Sequence, residues 1–480
     1  MMALLRGLFV LPLAALAWVG ALWYGFAPNF SSWSWPSLLG VHVLPPLALV
    51  GAAWAYLRSR RNRAQSEAAA REQAAAAGAE AARETARLQH EAELARQRFA
   101  CDCRRLAIAQ ISRDEGVLPE FGLDDVPVIL SELPPDIERE EGIDILEHHR
   151  PAIREALESL YAAVAGAARL PIYLVPPAEA VGEALFALIR EEHRALAEDL
   201  GLSPGEPPAL YFLSTGDSIA NCVLDLFANA PELPGAVVLG FDSPWLKAPE
   251  DDDDAPPNPM IKWLGKPGQG TFALLLTNAR LPEMVEALHQ ALPADAEADA
   301  MMPYWERQFG PGGENSLLFS MTLDERESLA AAPLLGRIHR AHGAALGGLK
   351  SRDAIAALLP PLEKSRISAG LLDSPFVAAD NTPAPGEAAP ECGWLVHNAG
   401  GVDCSGNRLA TLGMALYQQG LEVDPIHAGS NLVVQTGDLG QARSLGLLAM
   451  AVARATANQA AALVAEFTTE EHVALYFVVA

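Results

Sequence analysis

The stretch 429-GSNLVVQTGDLGQARSLGLLAMAVARAT-456 runs from a β-branched apolar segment into the corner Thr436-Gly437-Asp438, then into an apolar helix rich in small residues. The stretch 209-ALYFLSTGDSIANCVLDLFANA-230 sets the same tripeptide, Thr215-Gly216-Asp217, between another strand pattern and another apolar helix. Short apolar runs rich in β-branched residues predict buried strands, glycine allows the tight turn, and the following acid is a preferred helix N-cap.

The elements around the two corners repeat in the same order. The first set reads strand 171–176, helix 178–200, strand 209–214, corner, helix 218–230, strand 235–242. The second reads strand 393–399, helix 406–420, strand 430–436, corner, helix 440–458, strand 473–480. Further strands are predicted at 126–133, 271–277 and 315–322, and further helices at 146–167, 281–292, 324–332, 336–346 and 352–363. Strands alternating with apolar helices define an α/β fold. The repeat predicts two pseudo-symmetric halves, 125–372 and 392–480, joined by the Pro-rich linker 373–391, with their corner helices starting near each other.

The 480 residues suffice for a membrane anchor and a body with a sizeable core. With 34 basic against 60 acidic residues the net charge is −26, which opposes binding to phosphate backbones and argues against a nucleic-acid partner. Five scattered cysteines, an odd number, fit reduced thiols rather than a disulfide framework.

Two uncharged stretches, 8–27 and 38–57, each match the width of a bilayer core and predict a transmembrane hairpin over 1–63. Arg6 precedes the first; Arg58, Arg60, Arg61 and Arg63 follow the second. The excess of arginine at these ends predicts an inner-membrane protein with both termini and the body in the cytoplasm. The Ala-, Glu- and Arg-rich stretch from 64 onward, without a sustained apolar stripe, predicts a solvated helical stalk to about 112, with a coiled coil as the alternative.

The strand, Thr-Gly-Asp corner and small-residue helix of 430–455, the pair 235-GAVVLGFDSP-244 and 265-GKPGQGTFALLLT-277, and 396-VHNAGGVDCSGNRLATLGMAL-416 together resemble the thiolase-like fold of the β-ketoacyl synthases. That resemblance implies a nucleophilic thiol at a helix mouth and two histidines. Here the first corner continues Asp217-Ser218-Ile219-Ala220, with Cys222 one turn inside the helix. Asp438 stands where the resemblance implies a histidine, and His397 matches the remaining one only loosely. Asp217 and Asp438 therefore read as caps rather than as a proton-sharing pair. No G-x-S-x-G, Walker or H-E-x-x-H pattern occurs, and the spacing of Cys392, His397, Cys404 and His427 fits no usual zinc site, so neither metal nor cofactor is expected. His148 and His149 are expected on the solvated face of a helix.

The hydrophobic amino terminus, 126-VPVILSELPPDIEREEGIDIL-146 and the closing Gly-Asp-Leu-Gly together resemble the type VI secretion lipase adapter family. This implies a non-catalytic, membrane-tethered adapter, a pseudoenzyme that recruits a lipase effector to the secretion spike protein. The run Asp251, Asp252, Asp253, Asp254 is then a candidate acidic patch for a protein partner, or a solvated loop. The competing expectation is a divergent thiolase-like enzyme that transfers acyl groups at the inner membrane.

Overall fold

Cysteine, leucine and isoleucine alternate with arginine and alanine along Cys101–Ile111, and this segment is a strand, β1, in the computed structural model. The model describes residues 13, 15–25, 32–111, 130–132, 144–202, 207–214, 218–247, 263–265, 267–291, 317–376 and 392–480. The corner Thr215-Gly216-Asp217, the run Asp251 to Asp254 and most of the expected linker lie outside these residues. Two units separate, Met1–His90 and Glu91–Ala480.

The first unit corrects the expected hairpin. Among the described residues only one helix, α2 (Trp35–Gln97), is long and apolar enough to cross a membrane, and α1 (Ala15–Gly25) falls short of that length. Within this unit the Trp18 indole N–H donates to the Val41 carbonyl at 2.8 Å. The second apolar stretch and the expected stalk are one continuous helix of 63 residues. The stalk ends at Gln97 rather than 112, because Cys101 and Cys103 and, beyond a β-bulge, Leu106 and Ile108 alternate as a strand does and face one core.

In the second unit the elements after β1 are β2 (Leu130–Glu132), α3 (Ile145–Ala163), β3 (Ile172–Val175), α4 (Gly182–Asp199), β4 (Leu210–Phe212) and α5 (Ile219–Asn229). They continue as β5 (Gly235–Asp242), β6 (Gly270–Asn278), α6 (Leu281–Ala291), α7 (Leu323–Ala331), β7 (Gly336–Ile338), β8 (His342–Ala345) and α8 (Ser351–Ser368). The rest are β9 (Cys392–His397), α9 (Val402–Gln418), β10 (Gly429–Asn431), α10 (Arg443–Asn458), β11 (Ala461–Thr469) and β12 (His472–Val479).

The sheet order, β10-β9-β11-β12-β7-β1-β6-β5-β3-β4, reads the same way from either end. β4, β3 and β5 are parallel, and β6 then β1 follow antiparallel. β10, β9 and β11 are likewise parallel, with β12 then β7 antiparallel. The strand pairing thus repeats in this mixed α/β sheet, but β5 corresponds to β11 and not, as expected, to 473–480. β7, which falls within the expected first half, stands beside β12 of the second set as β1 stands beside β6 of the first.

Three apolar cores give the layering. α3 and α4 cover one face of the first half, α8 and α9 one face of the second, and α5 and α10 lie between the halves. Leu445, Leu447 and Leu448 of α10 are fully buried. Each such side chain contributes about 1.5–3 kcal/mol of burial.

Several expected elements differ. Residues 336–346, expected as a helix, form β7 and β8, and Leu317–Ser320, expected inside a strand, is a helical turn. The expected strand 430–436 is the short β10 followed by a helix, Leu432–Thr436. In that helix Thr436 Oγ1 donates to the Leu432 carbonyl at 2.8 Å. In β7 and β8 pairing with neighbouring strands overrides local propensity.

Candidate functional site

The central layer is polar where α5 and α10 begin. Ser218 is the N-cap of α5, its Oγ accepting from the Ala220 N–H, and α10 starts at Arg443. The Ser218 hydroxyl donates to Glu466 Oε2 at 2.8 Å, joining a cap of the first half to β11 of the second. The same carboxyl is bonded by the Ser444 side chain in the first turn of α10 and by the Ile219 backbone N–H. Glu466 is 1% exposed and Ser218 1% exposed. Burial pushes the Glu466 pKa up, against the opposing pull of Ser444, Ser218, Ile219 and the Arg443 charge.

The mirror contact uses β5, the strand equivalent to β11. Asp242 ends β5, with Oδ1 accepting from the Ser243 N–H at 2.7 Å and Oδ2 from the Gln441 N–H at 2.8 Å. Gln441 lies in the turn Gly440–Ala442 that leads into α10. Each half thus sends one buried carboxylate to the start of the other half's central helix, where N–H groups lack intrahelical partners and the dipole favours negative charge.

The residues expected at this centre distribute differently. Asp438 does cap, accepting from the Gly440 N–H at 3.0 Å and from Arg443 Nη2 at 2.7 Å. His397 pairs in register with Ala465, so strand alternation turns it to the face opposite Glu466, towards α9. Its Nδ1 accepts from the Ala399 N–H at 3.3 Å, and burial lowers its pKa to about 4, leaving a neutral ring. Cys222 is half-buried on α5 and packs against the central core. Its own N–H donates to the Ser218 carbonyl at 3.1 Å, placing it one turn past the helix mouth.

At the centre expected to hold only caps, a buried hydroxyl and a buried carboxyl share a hydrogen bond. The solvated placement of His148 and His149 is corrected. His149 is fully buried with Nδ1 at 3.0 Å from Thr271 Oγ1, and His148 Nε2 lies 2.9 Å from Gln269 Oε1, which also accepts from Ser243 Oγ. Among the described residues no three His, Cys, Asp or Glu side chains are grouped to hold a metal ion.

Sequence reading missed Glu466, Asp242 and Ser444. The signal for the first is present in 461-AALVAEFTT-469, where one acid interrupts an apolar strand run, and 235-GAVVLGFD-242 closes on the second. A lone carboxylate in a buried run needs partners, and here helix starts supply them.

No family model and no curated protein matches the chain. Among solved structures it is similar to a ketosynthase from module 6 of the bacillaene synthase of Bacillus subtilis, at 12% identity and TM-score 0.36. That match covers 69% of this chain and 56% of the ketosynthase, so the chain spans little more than half of it. It is also similar to acetamide-bound OleA of Xanthomonas campestris, at 10% identity and TM-score 0.40, covering 80% of this chain and 99% of OleA. Cerulenin-bound OleA matches with the same TM-score of 0.40. The expectation of a non-catalytic adapter is corrected by these findings, since the matched chains are a ketosynthase and OleA. At TM-scores of 0.36 to 0.40 the likeness carries no mechanism, and the chemistry rests on the residues themselves.

Proposed function

We propose that the chain is a membrane-anchored, divergent thiolase-like enzyme that transfers acyl groups from a thioester, with Ser218 as the acyl acceptor and Glu466 as its base. The observation that carries this reading is the 2.8 Å hydrogen bond from Ser218 Oγ to Glu466 Oε2 at the start of α5. A serine is a weak nucleophile until a neighbouring base takes its proton, and a carboxyl made more basic by burial is better suited to that task.

In the proposed step Ser218 Oγ bonds to the thioester carbonyl carbon while its proton passes to Glu466. The carbon–sulfur bond then breaks, and the thiolate leaves and takes up a proton. The helix start favours the developing oxyanion through its N–H groups and dipole. The two matching half-sheets, with helix starts converging from both, are what make the reading thiolase-like. The apolar portion of α2, followed by Arg58, Arg60, Arg61 and Arg63, supports an inner-membrane anchor with the body on the cytoplasmic side.

The test is intact-mass analysis of the purified full chain after incubation with an acyl-coenzyme A. The expected product is a single acyl adduct that peptide mapping assigns to Ser218. An adduct on Cys222 or Cys404, or no adduct at all, contradicts the proposed chemistry.

A further inference from the structure

A second polar site lies at the opposite end of the sheet. β6 runs from Gly270, paired with Asp242 near the central carboxylates, to Asn278, paired with Cys101 at the start of β1. Eight strand steps separate these ends by about 27 Å. At the far end a cleft of about 360 Å³ is lined by Arg98, Arg280, Arg337, His339, Asn278 and the end of α8, with Phe99 and Ala369 as apolar walls.

In a chain of net charge −26, three guanidiniums line this one cleft. Arg337 Nε donates to the buried Asp102 at 2.9 Å, and this fixes its position. Arg98 donates to the Ile367 and Leu372 carbonyls at 3.3 and 3.4 Å and pairs with Asp373 at 3.3 Å. Arg280 pairs with Glu283 at 3.4 Å. Asp373 and Glu283 are 67% and 75% exposed, so these pairs are weak, of order 0–1 kcal/mol, and a ligand anion displaces them readily. Each guanidinium has five N–H donors and spends only part of them on these partners.

His339 supplies the second observation. It is 6% exposed and lines the cleft, and its ring is bonded to the Ser368 carbonyl while Nδ1 has no hydrogen-bond partner among the described residues. Nδ1 is therefore a buried polar atom that lacks such a partner and can donate or accept according to tautomer. A phosphate monoester presents three oxygens to the three guanidiniums where a carboxylate presents two, and one of these oxygens can meet Nδ1 as well.

We propose that this cleft between the start of β1, the end of β6 and the end of α8 binds a phosphate monoester carried on a small, partly apolar body. Arg98, Arg280 and Arg337 hold the phosphate oxygens, His339 Nδ1 hydrogen-bonds to the group, and Phe99 and Ala369 contact the body. The site is separate from Ser218 and Glu466 and does not depend on the chemistry proposed there.

The experiment is calorimetric titration of the full chain in detergent with adenosine 5′-monophosphate, inorganic phosphate, dioctanoyl phosphatidic acid and adenosine. Saturable binding of at least one phosphate-bearing probe is expected, with adenosine silent. The nucleotide and the phosphatidic acid separate a soluble from a lipid source of the same group. Arg280→Ala, at an exposed rim position, is expected to weaken binding by about tenfold or more, the loss of one charge-assisted hydrogen bond. His339→Phe should weaken it as well while keeping a ring in place. The proposal is overturned if no phosphate-bearing probe binds at millimolar concentration, if adenosine binds as well as its monophosphate, or if Arg280→Ala binds like the parent chain. Because Arg280→Ala leaves the core untouched, the test stands even if His339→Phe does not fold.

Discussion

Asp242 accepts a hydrogen bond from the Gln441 backbone N–H at 2.8 Å, so the last residue of a first-half strand closes the turn that starts the second half's central helix. Asp242 is 3% exposed, and removing its carboxylate takes this partner from the Gln441 N–H and from the buried Ser243 N–H. Asp242→Ala should therefore destabilise the body by about 1–3 kcal/mol, whereas Asp242→Asn, which keeps an acceptor oxygen, should cost less. Chemical denaturation of the three proteins checks the order, and equal midpoints for all three would remove the crossed contact from the account.

The same contact constrains Gly440. Its φ is +56°, and a Cβ at this position would meet the Asp242 carboxylate and Pro244. Gly440→Ala is expected to destabilise by more than the ~1 kcal/mol that positive φ alone imposes on a residue with a Cβ. In Asp242→Ala the clash is partly relieved, so the two substitutions should be less than additive in a double-mutant cycle. Strict additivity would show that the two positions do not touch.

Asp102 on β1 is the hub of a buried ion cluster, accepting from Arg104 Nη2 and Arg337 Nε, each at 2.9 Å. Arg104 is 8% exposed and also reaches Thr277 Oγ1 and the Ala332 carbonyl. Asp102→Ala strands a buried guanidinium and should cost about 3–5 kcal/mol, measured by urea unfolding. A loss within ±0.5 kcal/mol would mean the cluster is solvated in solution.

Burial lowers the pKa of His339, His342 and His397 to about 4 in each case, from an ordinary value of 6.5. The unfolded chain binds protons at these sites between those values and the folded chain does not, so stability falls as pH drops from 6.5 towards 4 and is level for these groups above 6.5. Glu466, with its raised pKa, has the opposite sign and favours the fold as its carboxyl protonates. Urea unfolding across this range should show a net acid loss that His397→Gln makes shallower. An identical slope in the variant would exclude a neutral buried His397.

The repeat was legible because 209–230 and 429–456 carry two turn signals at matching places in matching element orders, and periodicity survives substitution of individual residues. β7 and β8 were not, since Gly336–Ile338 and His342–Ala345 are three and four residues long and owe their extended form to β1 and β12 alongside. β11 was hidden by position, following α10 after only the turn at Gln459, whose φ is +49°. Asp438 was readable as a cap because capping is local. The Ser218–Glu466 pair spans 248 positions, and its partners are brought together by the sheet order rather than by any spacing along the chain.

The most direct measurement is the single-turnover rate of coenzyme A release from an acyl-coenzyme A by the parent chain, Ser218→Ala and Glu466→Gln. If Glu466 is the base for Ser218, Glu466→Gln should slow release by about 10²–10⁴-fold and Ser218→Ala should abolish it, with both variants still folded by circular dichroism. Release at the parental rate in folded Glu466→Gln and Ser218→Ala would show that the hydroxyl and carboxyl joining the two halves are only structural.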